Sequence, residues 1–577
     1  MLKKSLIFCL LAGVFASPAT AAPQQLLMPG VTYEKRLQFT RFGPQALHIL
    51  TAPKPAGGLY GLKPVLSNGA ATGRERVTSM QKRAEASATV AGVNGDLFTW
   101  ADGIPTSGLI QDGVLRTTPH PKRSMLGVDT AGNLRVDRIS MLGTWQGSGP
   151  RRPIHSVNRP PGPNGTTLYT PSYGTTTPPN NGVFEAVLSP FPSATPNADL
   201  VGYVSENRRG GTTIPPGGAV LAARGTQGQR LSVEGATGEM VTARLVLRPE
   251  WRDVPEALGG GPELIRQGRP IFRPNEDFGV YHLNRRHPRT AVGQKADGRI
   301  VMLVVDGRRP GYSAGMTNFE LAQTMMRLGV TTASALDAGG SSTMAFDAQL
   351  LSRPSDSGGE RLVSEALLVM YYGVHAPDTE PSFSPNGDGA GDRQRLEYKI
   401  VKPSTVSAVL TGPDGQARTL DSGARKPGLY KFAFGGQRFR SRAVEPEGRW
   451  RWTITATDSE GRRSTAERVF MLNNTLGFIT VSPSRVVVRK KQGGKLLIGF
   501  TLTRPARISA TITSKTGQLL RVVRNANAPA GKVAVVWDGR YPNGKPVFAG
   551  TYVAKVVVTN SVGRTELARS FQVRRAR

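Results

Sequence analysis

Between residues 289 and 344 the chain constrains its own folding more tightly than anywhere else. Ile300–Val305 is an unbroken apolar run that ends in Asp306-Gly307, the pattern of a strand covered on both faces. Thr317-Asn318-Phe319-Glu320 matches the S/T-x-x-E capping box that opens a helix. Phe319, Ala322, Met326 and Leu328 then recur at roughly helical spacing, and Gly329 closes the helix. A second short apolar run over 333–336 ends in Asp337 and opens into Gly339-Gly340-Ser341-Ser342-Thr343. Strand–Asp, helix, strand–Asp predicts a right-handed parallel crossover. The expected fold class is therefore an α+β domain with a βαβ core.

That arrangement carries chemistry. Parallel sheets bind ligands beyond the carboxyl ends of their strands, where Asp306 and Asp337 would both sit. Arg289 and Arg308 add cations, and the glycine–hydroxyl turn over 339–343 offers free N–H groups and three hydroxyls to an anion. Upstream, Asn94-Gly95-Asp96 follows a strand-like run, so Asp96 can line the same pocket. Singly, each is an ordinary turn residue. As a set they suggest hydrolysis of a bond next to a phosphate.

Here the sequence resembles the phosphodiester glycosidase family. Arg289-Thr290-Ala291-Val292-Gly293, Val305-Asp306-Gly307-Arg308, the stretch 313–322 and the stretch 336–344 follow that family's motifs in order. So do Asn94-Gly95-Asp96-Leu97-Phe98 and the 259–268 box GGGPELIRQG. Ala338 departs from the family's triple glycine, and a positive φ there would cost about 1 kcal/mol. The resemblance implies an enzyme that cleaves a sugar-1-phosphodiester, similar to an N-acetylglucosamine-1-phosphodiester, and that requires no cofactor. Asp306 and Asp337 would flank the anomeric carbon. Glu320 is the candidate acid, or else simply the return bond of the capping box. Asn94, Asp96, Arg289, Arg308, Gly339, Gly340, Ser341, Ser342 and Thr343 would bind substrate. A metal-assisted phosphodiesterase and a non-catalytic polyanion-binding envelope protein are the alternatives.

The rest of the chain frames this core. Residues 1–22 read as a signal peptide: Lys3 and Lys4, an apolar stretch, then Ala19-Thr20-Ala21. The only cysteine, Cys9, lies inside it, so the mature chain has no thiol chemistry and no transmembrane anchor. The expected location is bacterial and secreted, periplasmic or cell-surface. In the 577 residues, 74 Lys and Arg against 41 Asp and Glu give a net charge of +33, which attracts polyanions. The basic residues read as spread along the chain, and no nucleic-acid-binding motif accompanies them. The expected partner is a phosphorylated glycan or a teichoic-acid-like polymer. Oligomeric state has no signature.

The catalytic domain is expected over 23–375, with a loop-rich insertion at about 145–250 where proline, glycine and asparagine are dense. Two β-sandwich modules follow, over 376–475 and 476–577, each with alternating apolar residues and regular turns. The stretch Trp537-Asp538-Gly539 to Tyr552 resembles the immunoglobulin-like domain of the flagellar hook-capping family. At the head of the first module, Asn386, Asp388 and Asp392 stand at calcium-loop spacing. Arg395 occupies the twelfth position, where such loops carry Glu, so a plain turn is the competing reading.

Overall fold

Every residue of the Ile300–Val305 run is buried in the computed structural model, which describes residues 24–271, 275–436, 445–489 and 493–576. The expected signal peptide, with Cys9, lies outside the described residues. The elements that frame the site are β1 (Gly43–Ala52), β2 (Tyr60–Leu66), β3 (Thr89–Asn94), β4 (Arg289–Lys295), β5 (Ile300–Val305), α1 (Asn318–Arg327), β6 (Val330–Ala335), β7 (Met344–Phe346) and β8 (Glu365–Tyr371).

The parallel crossover is not what forms. β5 and β6 run in the same direction and α1 connects them, but β4 lies between and pairs antiparallel with both. The register sets Arg289 opposite Val305 and Ala291 opposite Ala335. The cause is local: β4 and β5 form a hairpin closed by Lys295 and Arg299, so one flank of β5 is filled before α1 begins. The other flank is taken by β1, again antiparallel. The first sheet is antiparallel throughout, and the expected βαβ core gives way to a mostly β domain.

The apolar run is nonetheless covered on both faces. Val301, Leu303 and Val305 pack with Leu321, Ala322 and Met325 of α1. Ile300, Met302 and Val304 point the other way, into a core shared with Val93, Met344, Leu367 and Val369 of a second sheet. That sheet runs β7–β3–β8–β2, with Gln349–Leu350 beyond β7, and its outer face is covered by the helix Val77–Ala84 through Val77 and Met80. The stacking is helix, sheet, sheet, helix. Complete burial of a strand follows from having covers, not from parallel pairing.

The capping box at the head of α1 is present. Thr317 Oγ1 accepts from the Glu320 amide at 3.2 Å, and the Glu320 carboxylate accepts from the Thr317 amide at 3.0 Å. The expected loop-rich insertion is instead an eight-stranded sheet between Ser140 and Arg248, with a short helix at Thr226–Glu234. Trp145, Leu168, Leu188, Leu221, Leu231 and Leu245 fill its core. Its prolines stand outside the strands except Pro153, which lies in the edge strand Arg152–Ile154, where a sheet tolerates it.

Beyond Tyr371 two sandwiches follow, with separate cores around Trp450, Trp452 and Phe470 and around Trp537, Tyr552 and Phe571. The loop with calcium-like spacing joins them. Asp392 accepts from the Gly387 and Gly389 amides, both at 2.7 Å. Asp388 accepts from Ala390 N at 2.7 Å and from Phe478 N in the next module. Backbone amides thus occupy its carboxylates. Among the described residues no three His, Cys, Asp or Glu side chains group to hold a metal ion, and no helix is long and apolar enough to cross a membrane.

Candidate active site

The turn over 339–343 carries the chain from the first sheet into the second, since β6 ends one sheet and β7 begins in the other. Asn94, at the end of β3 and fully buried, pins this passage. Its Oδ1 accepts from Thr290 Oγ1 on β4 at 2.8 Å and from Thr343 N at 3.1 Å, and its amide donates to the Asp337 carbonyl at 3.0 Å. Asp337 N in turn donates to the Gly95 carbonyl at 3.0 Å. Asn94 therefore positions the site from beneath instead of lining it.

Three carboxylates converge above that knot. Asp96 is 1% exposed; one oxygen accepts from Ser107 N at 3.1 Å, and the other has no partner among the described residues. Burial, reinforced by the charge of Asp337, pushes its pKa up to about 7. Asp337 is half-buried, and burial raises it to about 6 against the Ser341 hydroxyl and the Ala338 amide, which hold the charged form. Glu365, at the head of β8, receives Asp96 N at 3.0 Å and is pushed well up by burial and by Asp96. A Cβ at position 95 would lie 2.4 Å from Glu365 Cγ, so only glycine fits between these acids. Arg361 holds Asp356 in a two-pronged pair at 2.7 and 3.0 Å and donates to Ser341 Oγ at 3.3 Å.

A cationic side faces the same turn. Arg289 is 1% exposed. It donates to the backbone carbonyls of Met316, His282 and Arg285 at 2.9, 2.7 and 2.7 Å, while its Nη1 has no partner. Burial, with Arg308 adding to it, lowers its pKa to about 10. Arg308 Nη2 donates to His287 Nδ1 at 3.1 Å, which places the His287 proton on Nε2, a buried atom without a partner. Burial and the neighbouring arginines hold His287 and His282 down at about 4. Phe278 links the two sides, stacked on His282 at 5.1 Å with the Arg123 guanidinium over its ring at 4.7 Å. Among the described residues neither Arg289 nor Arg308 has a carboxylate partner. A buried donor without a protein partner is open to an acceptor from water or a ligand.

Residues 193–370 match the phosphodiester glycosidase family. Residues 484–561 match the FlgD Ig-like domain. The chain is 35% identical over 138 residues to the uncharacterized SPbeta prophage-derived protein YomE of Bacillus subtilis, covering 23% of this chain and 21% of that protein. It is 31% identical over 160 residues to the N-acetylglucosamine-1-phosphodiester alpha-N-acetylglucosaminidase of Bos taurus, covering 25% of this chain and 30% of that one. The chain thus spans less than a third of the length of these curated relatives. A hypothetical protein from Synechocystis shares the fold, with a TM-score of 0.51 at 23% identity over 61% of this chain and 64% of that one.

The phosphodiester glycosidase segment holds Arg289, Arg308, Asp337, the turn 339–343 and Glu365, while Asp96 and Arg123 come to the site from outside it. Ala338 has extended backbone, φ −120°, which any residue adopts. The left-handed position is Gly339, φ +72°, where a Cβ would also sit 2.9 Å from Arg308 Nη2. The expected strain at Ala338 is absent.

Two residues expected at the reacting bond are engaged elsewhere. Asp306 is buried with both oxygens occupied: Oδ2 lies 2.9 Å from His48 Nε2 and accepts from Tyr312 at 2.9 Å, and Oδ1 accepts from Arg353 N at 3.0 Å. His48 is held in turn by the Tyr33 hydroxyl at 2.8 Å from Nδ1. Glu320 spends one oxygen on Thr317 and the other on an ion pair with Arg286. Burial works to raise its pKa, but Arg286 and Thr317 outweigh it and the net shift is downward, the wrong direction for an acid. Of the cradle, Gly340 packs beneath Arg361 and Asp356, and Ser342 Oγ and Thr343 Oγ1 have no partner.

Sequence reading missed Glu365, Arg123, Arg361, His282 and His287. A glutamate heading the seven-residue apolar strand EALLVMY was a usable signal for Glu365. The two histidines had none: His282 lies in a helix of only five residues, and His287 follows it in an irregular stretch.

Proposed function

We propose that the chain is an exported hydrolase that cleaves a sugar-1-phosphodiester, with Asp96 and Asp337 as the working carboxylates. One observation carries this reading: two acids raised by burial adjoin a turn whose other side bears buried donors with no protein partner. Asp337, the more exposed of the pair, is the anionic neighbour of the oxocarbenium-like transition state. Asp96 keeps its proton to higher pH and assists departure of the phosphate. Because the pair titrates jointly, the active form is the one sharing a single proton. Arg289, Arg308 and His287 take the phosphate oxygens, with the hydroxyls of Ser342 and Thr343. The C1–O bond breaks with its electrons on the leaving phosphate, water bonds to C1, and its proton passes to Asp337. The name of the bovine relative makes an N-acetylglucosamine-1-phosphodiester in an envelope or extracellular polymer the first substrate to try.

Hydrolysis in oxygen-18 water tests the reading. Label on the sugar supports cleavage at carbon, and label on the phosphate replaces it with phosphodiesterase chemistry.

A further inference from the structure

Sorted by fold element, the positive charge is uneven. Residues 476–577 contain 19 Lys and Arg but only two acids, Asp538 and Glu566, a net +17 out of +33. The preceding sandwich, residues 376–475, contains 16 and 12, a net +4. The two modules share size, sandwich architecture and genome, so base composition does not account for the difference. Nor are the charges neutralised internally. Glu566 is shared by Lys555 and Arg564, and Arg504 reaches across to Glu447 of the preceding module. Arg485, Lys495, Lys515, Lys532 and Arg574 are exposed, and none has a carboxylate partner among the described residues.

Their placement narrows the partner. Arg485 and Arg574 stand on the five-stranded sheet, on strands Arg485–Val488 and Arg564–Arg575. Lys532 stands on the opposing three-stranded sheet, on Gly531–Trp537. Lys515 lies in the turn after Ala506–Ser514, and Lys495 just before Leu496–Leu502. A membrane is flat and meets one face at a time, whereas a flexible polyanion can follow charges around a module. Coulomb attraction at this density reaches about one Debye length, roughly 10 Å at 0.1 M salt.

We infer that the C-terminal module is a binding module for a linear polymer of phosphodiesters, which it holds near the hydrolytic domain. The choice of phosphate over another anion, and hydrolysis as what the binding serves, rest on the proposed function; polyanion binding itself does not. A module bound along the polymer raises the local concentration of bonds to cleave.

The test measures binding to poly(glycerol phosphate) by the full chain carrying Asp337→Asn, so that turnover and binding are read separately. Affinity should fall with added salt, by a log–log slope of about 0.7 per phosphate contacted. Replacing Arg485, Lys495, Lys515, Lys532 and Arg574 with Glu should weaken binding about tenfold or more at 0.1 M salt. The same five-fold reversal at Arg393, Arg395, Lys426, Arg449 and Arg463 in the preceding module should change it much less. Both sets are exposed, and circular dichroism checks that each variant folds. Equal loss from the two sets overturns the assignment to this module. Tighter binding to phosphatidylglycerol vesicles than to polymer overturns it in favour of a membrane. Single-stranded DNA shares the anionic phosphodiester linkage but not the glycerol: affinity within about tenfold of the polymer's supports phosphodiester recognition, and far tighter binding replaces the proposed polymer with nucleic acid.

Discussion

Asp306 and Asp337 follow apolar strands that run in one direction and end at one edge of one sheet, yet their surroundings differ in kind. Asp306 faces β1, where His48, Tyr312 and the Arg353 amide occupy both its oxygens. Asp337 faces the passage between the sheets, where its nearest listeners are its own neighbour Ala338 and the hydroxyl of Ser341. A saturated carboxylate holds structure together, and an undersaturated one beside other acids is free to exchange a proton. The same short sequence signal thus yields an anchor in one place and a candidate reactive group in the other.

The contrast is broken most directly at Asp337. Asp337→Asn should lower turnover of a sugar-1-phosphodiester by about 10²–10⁴-fold with little change in thermal midpoint. An unchanged rate removes Asp337 from the chemistry. The mirror experiment is Asp306→Ala, which strands His48, Tyr312 and the Arg353 amide in the interior. It should cost about 3 kcal/mol of stability, measured by urea unfolding, and a variant as stable as the parent would mean that Asp306 is no anchor.

A pH experiment sharpens the comparison further. Asp96 and Asp337 have folded values of about 7 and about 6, above the roughly 3.9 of an unfolded aspartate. The folded chain therefore holds these protons more tightly, and their contribution to stability declines as pH rises from about 4 to about 7. Asp96→Asn removes its share of that decline, so the variant should gain on the parent between pH 4 and pH 8. Parallel curves would show that Asp96 is not raised. The smallest effect is expected at Glu320, already paired with Arg286 and Thr317. Glu320→Gln keeps the capping bond and should change rate by less than about tenfold, well under the loss expected of a general acid. A larger loss, rescued by an activated leaving group, would return Glu320 to the chemistry.

Much of the local structure was readable because it depends on near neighbours. Thr317 and Glu320 announce the start of α1 and Gly329 its end, since capping and left-handed backbone are settled within a few residues. Pairing was not readable. The run at Ile300–Val305 is equally apolar whether its neighbours lie parallel or antiparallel, and the proline-rich 145–250 segment hid a sheet whose strands meet across long loops.

By itself the sequence determined the buried run Ile300–Val305, the capped helix, the glycine turn and part of the candidate site, Asp96, Asp337, Arg289 and Arg308. Tertiary structure alone decided which of them meet. Asp96 and Asp337, distant in the chain, become mutual electrostatic neighbours because Asn94 ties β3 to the turn between the sheets. Arg289 becomes a buried clasp because the carbonyls of His282, Arg285 and Met316 gather round it, and Asp306 an anchor because His48, Tyr312 and the Arg353 amide do the same. Proton affinity follows from burial and from the charges that folding brings near, and neither is written in any window of the chain.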